Sequence, residues 1–314
     1  MNLDIPSSEE SLKRIKKYVN RTPLSYSERL SKECGSEIYL KLENLQKTGS
    51  FKVRGALNKV VNMNSERPVV TASSGNHGAA VSYALNKRDK KGKIYVPTSV
   101  KKLKADNIRS YGSEVIKFGD DCLDAENEAI RVSRENNYTF ISPYNDIDVI
   151  SGQGTIGVEI LEENDKIDVV FITVGGGGLI SGIAHYLKSK NPDIKVIGCS
   201  PENSSIMINS IKHGKIINSE SKDTLSDGSA GGVEEGSITF DLCRNLIDDY
   251  CLVSEEEIAE QIRDSLNYDK IVIEGSAAVA IASLIKMKKE FKNKNISVII
   301  CGGNIGSETI KSIL

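Results

Sequence analysis

Lys52 stands in the run Thr48-Gly49-Ser50-Phe51-Lys52-Val53-Arg54-Gly55, and three further glycine-rich, nearly uncharged loops accompany it along the chain. They are Ser73-Ser74-Gly75-Asn76-His77-Gly78, Gly175-Gly176-Gly177-Gly178-Leu179 and Cys301-Gly302-Gly303-Asn304. A lysine amine is a nucleophile toward carbonyls. Four consecutive glycines let a backbone turn sharply and aim several N–H groups at one anion, with the positive end of a helix behind them. That run reads as a phosphate cradle, and it lacks the Gly-Lys-Ser/Thr ending of a nucleotide P-loop. In the second loop, hydroxyls, an amide and backbone N–H groups crowd a helix start, which suits a carboxylate.

Together these parts describe a socket for a phosphorylated aromatic cofactor with Lys52 placed to bond to it. A pyridoxal ring stabilises the carbanion left when a substrate loses a proton. Such chemistry needs a phosphate cradle, a carboxylate loop, a partner for the ring nitrogen and a lysine. His77 reads as a hydrogen-bonding residue rather than a metal ligand, because only His185 and His213 join it and neither has metal-site spacing. No metal is expected.

The elements that must position these loops are short β-rich runs alternating with helical patterns. Expected strands are 37–42, 68–72, 93–97, 114–118, 139–142, 168–174, 195–199 and 297–301. Continuous apolar runs such as Val169-Val170-Phe171-Ile172-Thr173-Val174 suit strands covered on both faces. The alternation predicts an α/β fold of parallel sheets flanked by helices. Ser254 and Glu257 form a capping box at a helix start. Residues 200–236, rich in Ser, Asn, Gly and Asp, read as loops around one short helix. Gly152-Gln153-Gly154-Thr155-Ile156-Gly157 fits the dinucleotide pattern, but no good strand precedes it, so it reads as a helix start packing near the site.

At 314 residues the chain is long enough for roughly two domains. Its 41 basic and 43 acidic side chains give a net charge of −2, which offers no broad field for nucleic acid or an anionic membrane. The N-terminal run has no apolar core typical of a secretory signal, and no apolar stretch is long enough to span a bilayer. Six cysteines without a Cys-x-x-Cys pair fit reduced thiols, and the expected setting is cytoplasmic.

The segments at 41–58, 71–78, 151–160, 174–184 and 301–305 resemble the fold-type II pyridoxal-phosphate enzymes, specifically the serine/threonine dehydratase and serine racemase family. The resemblance in spacing extends over almost the whole chain. It implies a two-domain, tryptophan synthase β-like architecture, with residues 1–67 and 146–314 as a large cofactor-binding domain and 68–145 as a small inserted domain. The cofactor implied by the resemblance is pyridoxal 5′-phosphate.

By that resemblance Lys52 bonds to the cofactor and takes the substrate's α-proton, and Phe51 packs on the ring. Gly175, Gly176, Gly177, Gly178 and Leu179 hold the phosphate, Asn76 the ring oxygen and Cys301 the ring nitrogen. Ser73, Asn76 and His77 bind the substrate carboxylate, Asp227 meets the substrate hydroxyl, and Ser74 lies on the opposite cofactor face.

A neutral thiol at Cys301 leaves a shallower electron sink than an acidic partner, which favours β-elimination. The implied activity is conversion of L-threonine or L-serine to a 2-keto acid and ammonia. The alternatives are a serine or aspartate racemase, a threo-3-hydroxyaspartate ammonia-lyase, β-replacement, or a binding module without turnover. Ser200-Pro201 and Ile206 stand where cation-binding relatives carry carboxylates. The expected partner is a small amino acid, and the expected assembly is a homodimer or higher homo-oligomer.

Overall fold

The computed structural model describes residues 4–314. Ten strands form two sheets: β1 (Leu24–Tyr26), β2 (Glu37–Leu42), β3 (Val69–Ala72), β4 (Gly92–Val96), β5 (Glu114–Lys117), β6 (Thr139–Phe140), β7 (Val169–Thr173), β8 (Lys195–Pro201), β9 (Asp249–Val253) and β10 (Asn295–Ile300). Six of them build one sheet in the order β1-β2-β10-β7-β8-β9, and four build the other in the order β5-β4-β3-β6. Every pairing is parallel except that of β1 with β2. The chain is thus the expected α/β fold of parallel sheets flanked by helices. Each of the eight expected strands is present within a few residues of its bounds. The two that the sequence reading missed, β1 and β9, are the edges of the larger sheet.

Burial explains the central strands. β7 is buried at all five positions and β10 at five of six, because helices cover both faces. The capping box at Ser254 is formed: Glu257 N donates to Ser254 Oγ at 3.2 Å, and Ser254 N donates to Glu257 Oε2 at 2.7 Å. Region 200–236 carries one short α-helix, Ile206–His213, among loops.

The expected helix start at 152–157 is corrected. These glycines lie in the interior of the helix Ile147–Glu163, and their function there is close approach. A Cβ on Gly152 would lie 2.7 Å from both Arg54 O and Gly55 Cα. One on Gly154 would meet Ser8 Oγ at 2.1 Å and Gly182 O at 2.9 Å. The pattern therefore lets the Lys52–Asn62 helix and the Gly178–Lys190 helix pack tightly on this central one.

Four buried charges fix the Lys52 helix in place. Arg54 donates to both oxygens of Glu43 and both of Glu159, each at 2.8 Å. Lys41 Nζ lies 2.8 Å from Glu159 and donates to Thr22 O at 2.6 Å. All four side chains are at most 1% exposed. Two positive and two negative charges cancel, and planar carboxylates meet the guanidinium fork in pairs. Removing one partner from such a set strands the others without solvent. Arg54→Ala is expected to cost about 3–5 kcal/mol of stability, read from a urea unfolding curve. An unchanged midpoint would refute this assignment.

Candidate active site

The glycine loops leave the C-terminal ends of β3, β7 and β10, where open α/β sheets hold ligands. The Lys52 loop is stitched to the β10 exit. Phe51 N donates to Cys301 O at 3.0 Å, Gly303 N donates to Gly49 O at 2.9 Å, and Ser50 bridges Gly302. Gly49 has φ +73°, and a Cβ there would meet Asn304 Oδ1 at 2.5 Å, so this stitch requires glycine.

One cleft brings together Phe51, Lys52, Asn76, Gly175, Gly176, Gly177, Gly178, Leu179 and Cys301. Four expected residues are not part of its lining. Ser73 accepts a hydrogen bond from Gly75 N at 3.2 Å, which shapes the loop. Ser74 is partly exposed beside it. His77 is buried, and its Nε2 lies 3.1 Å from Ile141 O. Asp227 is exposed and pairs with Lys104 at 3.0 Å, although its neighbours Gly228 and Ser229 do line the cleft.

His77 acts differently from the expectation that its side chain serves a carboxylate. A carbonyl can only accept, so the imidazole proton sits on Nε2 and is spent on Ile141 O. Burial, and then the nearby Lys52 charge, lowers its pKa to about 3, so no second proton is held near neutrality. What residue 77 can offer an anion is its backbone N–H. The helix Asn76–Asn86 has no side-chain cap, so the first-turn donors are free for a ligand.

The Gly178–Lys190 helix likewise has no side-chain cap. Its N-cap, Gly177, has φ +87°, and a Cβ there would lie 2.8 Å from Cys243 Sγ. Tyr144, which the sequence reading missed, walls this cradle: a Cβ on Gly176 would stand 2.4 Å from its ring. The Tyr144 hydroxyl accepts from Glu234 N at 3.1 Å, and Thr239 Oγ1 donates to Gly176 O at 2.7 Å.

Lys52 Nζ donates to Pro143 O at 2.9 Å and lies 5.3 Å from the centre of the Phe51 ring. The side chain opens partly into the cleft, while its amine sits among protein atoms. Burial is the main cause that lowers the amine pKa to about 8, against the opposing pull of the Glu274 carboxylate. Burial and then Glu274 push the Cys301 thiol well above its ordinary value, so the sulfur is neutral.

Glu274, Thr173, Ser276, Gly228 and Ser229 also line the cleft and were not among the expected site residues. They come from separate stretches of sequence; Glu274-Gly275-Ser276 stands where the resembling family commonly carries Glu-Pro-Ser or Glu-Pro-Thr, which was the one signal available for that pair. Among the described residues no cluster of His, Cys, Asp and Glu is arranged to hold a metal ion. A larger, open surface concavity near Arg29 and Asn293 carries no comparable set of groups.

This geometry fits pyridoxal phosphate. The uncapped glycine cradle could take its phosphate, the depressed lysine its aldehyde, Phe51 a face of its ring and the neutral thiol its ring nitrogen. The fold and cleft define a lysine-dependent cofactor enzyme of the parallel α/β class. Residues 15–302 match the family described as "Pyridoxal-phosphate dependent enzyme", and the chain belongs to that family.

Over 314 residues the chain is 42% identical to an L-threonine ammonia-lyase of Thermotoga maritima, covering 99% of this chain and 77% of that protein. It is 38% identical to a serine racemase of Arabidopsis thaliana, covering 96% and 93% respectively. The structure of maize serine racemase superposes with a TM-score of 0.92 at 33% identity, covering 99% of this chain and 97% of that one.

Two outcomes follow from the cleft. Gly176→Ala drives a methyl group into Tyr144, an overpacking that costs about 1–3 kcal/mol. Affinity for pyridoxal phosphate should then fall about tenfold, measured by titrating the apo-protein spectrophotometrically. For Lys52, only the neutral amine attacks an aldehyde. The rate of cofactor uptake should therefore rise with pH and level off above about 8, as stopped-flow absorbance would record. A rate still climbing about tenfold per pH unit above 9 would exclude a depressed lysine.

Proposed function

We propose that the protein is an ammonia-lyase that converts L-threonine or L-serine to a 2-keto acid and ammonia by α,β-elimination. The observation that carries this reading is the neutral, buried Cys301 thiol in the same cleft as the Lys52 amine. Pyridoxal phosphate, when bound, supplies the electron sink for the charge left at the substrate's Cα, and a neutral partner at the ring nitrogen keeps that sink shallow. The electron pair then expels the β-hydroxyl, which departs as water by taking up a proton equivalent to the one removed from Cα, and hydrolysis of the remaining enamine releases ammonia and the keto acid. The names of the relatives support the same activity, since several are threonine dehydratases or ammonia-lyases.

In this reading Lys52 anchors the cofactor and takes the α-proton. Phe51 supports the ring, Asn76 donates to the ring oxygen, and Gly175 to Leu179 hold the phosphate. The substrate carboxylate is bound at the Ser73–His77 loop through the free donors of the helix start and the Asn76 amide. Asp227 reaches the substrate hydroxyl only after giving up Lys104. Residues 68–145 act as a small domain closing on the remainder. The setting is cytoplasmic, supported by six free thiols, and the assembly is a homodimer or larger.

Racemisation of serine is the second reading. Ser74 favours it, because its partly exposed hydroxyl is not engaged in shaping the loop as Ser73 is. A keto-acid assay over L- and D-serine, threonine and 3-hydroxyaspartate, run with chiral chromatography, separates the two. The lyase reading expects keto acid from L-threonine or L-serine as the main product, and a dominant D-isomer product would overturn it. Ser74→Ala should abolish any racemisation while keeping most elimination. Equal loss of both would remove Ser74 from the role.

A further inference from the structure

Glu274 is 4% exposed, lines the cleft, and is used by none of the roles assigned so far. Asn76 Nδ2 donates to its two oxygens at 2.9 and 3.1 Å, and Asn304 N donates to Oε2 at 3.1 Å. Gly302 makes room for it, since a Cβ there would lie 2.6 Å from the carboxylate. The contact crosses the cleft, because Asn76 opens a helix that follows β3 of the four-stranded sheet. Glu274 and Asn304 flank elements of the six-stranded one.

The polarity of this chain of bonds can be followed from a group with no choice. Thr48 O is a carbonyl and only accepts, and Asn304 donates to it through Nδ2 at 2.8 Å. The same Nδ2 donates to Asn76 Oδ1 at 2.7 Å. The Asn76 carbonyl is therefore occupied as an acceptor, and its NH2 group faces Glu274. Both oxygens of one carboxylate subtend a narrow angle at Nδ2, so a single hydrogen serves both. The second N–H is left over.

We propose that Glu274, seconded by Asn304, is a positioning residue that fixes the Asn76 amide so that it presents an N–H, and not its carbonyl, to the cofactor's ring oxygen. An ionised ring oxygen can only accept, and an unrestrained amide could meet it with either end. The inference rests on the reading of Asn76 as the ring-oxygen partner. It adds the group that orients that partner.

A proton on Glu274 would undo the selection, because a carboxylic acid can donate to Asn76 Oδ1. Burial is the main reason this carboxyl titrates at about 7, and Asp227 adds to the rise. Asn76, Asn304 N and Lys104 pull the other way. Lys104 and Asp227 are exposed and paired with each other. Cys301, the other ionisable neighbour with Lys52, is neutral. Lys52 carries the cofactor in the holoenzyme. The lock is accordingly engaged above pH about 7 and released below it.

The test compares the holoenzyme with Glu274→Gln and Asn304→Ala across about pH 5.5–8.5, reading the cofactor's visible spectrum and its dissociation constant. The wild type should show a spectral transition with a midpoint near 7. Glu274→Gln should lose that midpoint and bind pyridoxal phosphate about tenfold more weakly, as expected for one charge-assisted hydrogen bond. Asn304→Ala should keep the midpoint but weaken binding by about three- to tenfold.

A purely structural Glu274 would lower the melting temperature of the apo-protein and leave the midpoint in place, which would overturn the proposal. Wild-type affinity in Asn304→Ala would do the same. A wild type that binds no cofactor, or is fixed by borohydride elsewhere than at Lys52, overturns the site reading together with this inference. Normal wild-type binding with an unchanged midpoint in Glu274→Gln overturns the inference alone.

Discussion

The buried meeting of Arg54 with Glu43 and Glu159 is the constraint on which the site's geometry depends. It joins the end of β2, the helix that begins at Lys52, and the long helix Ile147–Glu163. Because the fork of the guanidinium must satisfy two carboxylates at once, the Lys52 helix has little freedom to rotate or slide. Lys52 is two residues from that anchor, so its amine inherits the same precision. Lys41 completes the charge balance, and without it one carboxylate would be buried with only a half-share in Arg54.

This rigidity contrasts with how the second side of the cleft is attached. The loop of Ser73 to Gly78 follows a strand of the four-stranded sheet and reaches Glu274 and Asn304 through the hydrogen bonds of Asn76. Lys104 and Asp227 add an exposed ion pair across the same gap. Exposed pairs contribute little to stability, and the main attachment is apolar: Ala79, Ala80, Val81 and Tyr83 of the helix after that loop share a buried cluster with Val53, Ala56, Leu57 and Val60 of the Lys52 helix. One wall carries the Lys52 amine and is fixed by charge, and the other carries the uncapped start of the Asn76 helix and is fixed by apolar packing.

The sequence made the central sheet and the glycine loops legible for a common reason: both signals are local. A strand covered on both faces is a continuous apolar run, and a cradle needs adjacent glycines. The edges β1 and β9 lacked that signal, the first being only three residues long and the second exposed at Asp249 and Tyr250. The glycines at 152, 154 and 157 look like a ligand motif, yet what they accommodate is neighbouring backbone. Tyr144 was not legible as a site residue, and Glu274 stood out only through the Glu274-Gly275-Ser276 pattern without a role, because their positions depend on how two sheets meet. The imidazole of His77 shows a finer limit, since its role changes once Ile141 O is known to hold its proton.

The position of β10 has a consequence for how this molecule can come into being. Among the described residues it is the last strand in sequence, yet it lies in the middle of the larger sheet, between β2 and β7. Until residues 295–300 have been synthesised, β2 and β7 have no strand to join them. The loop that receives Phe51 N and Gly49 O does not yet exist either. A nascent chain can fold the four-stranded sheet early, because β3 to β6 are contiguous in sequence, but it holds an unfinished cleft. Long-range pairing of this kind is slow to form. The cleft around the reactive amine is therefore closed only once residues 295–304 have been made, well after Lys52 itself.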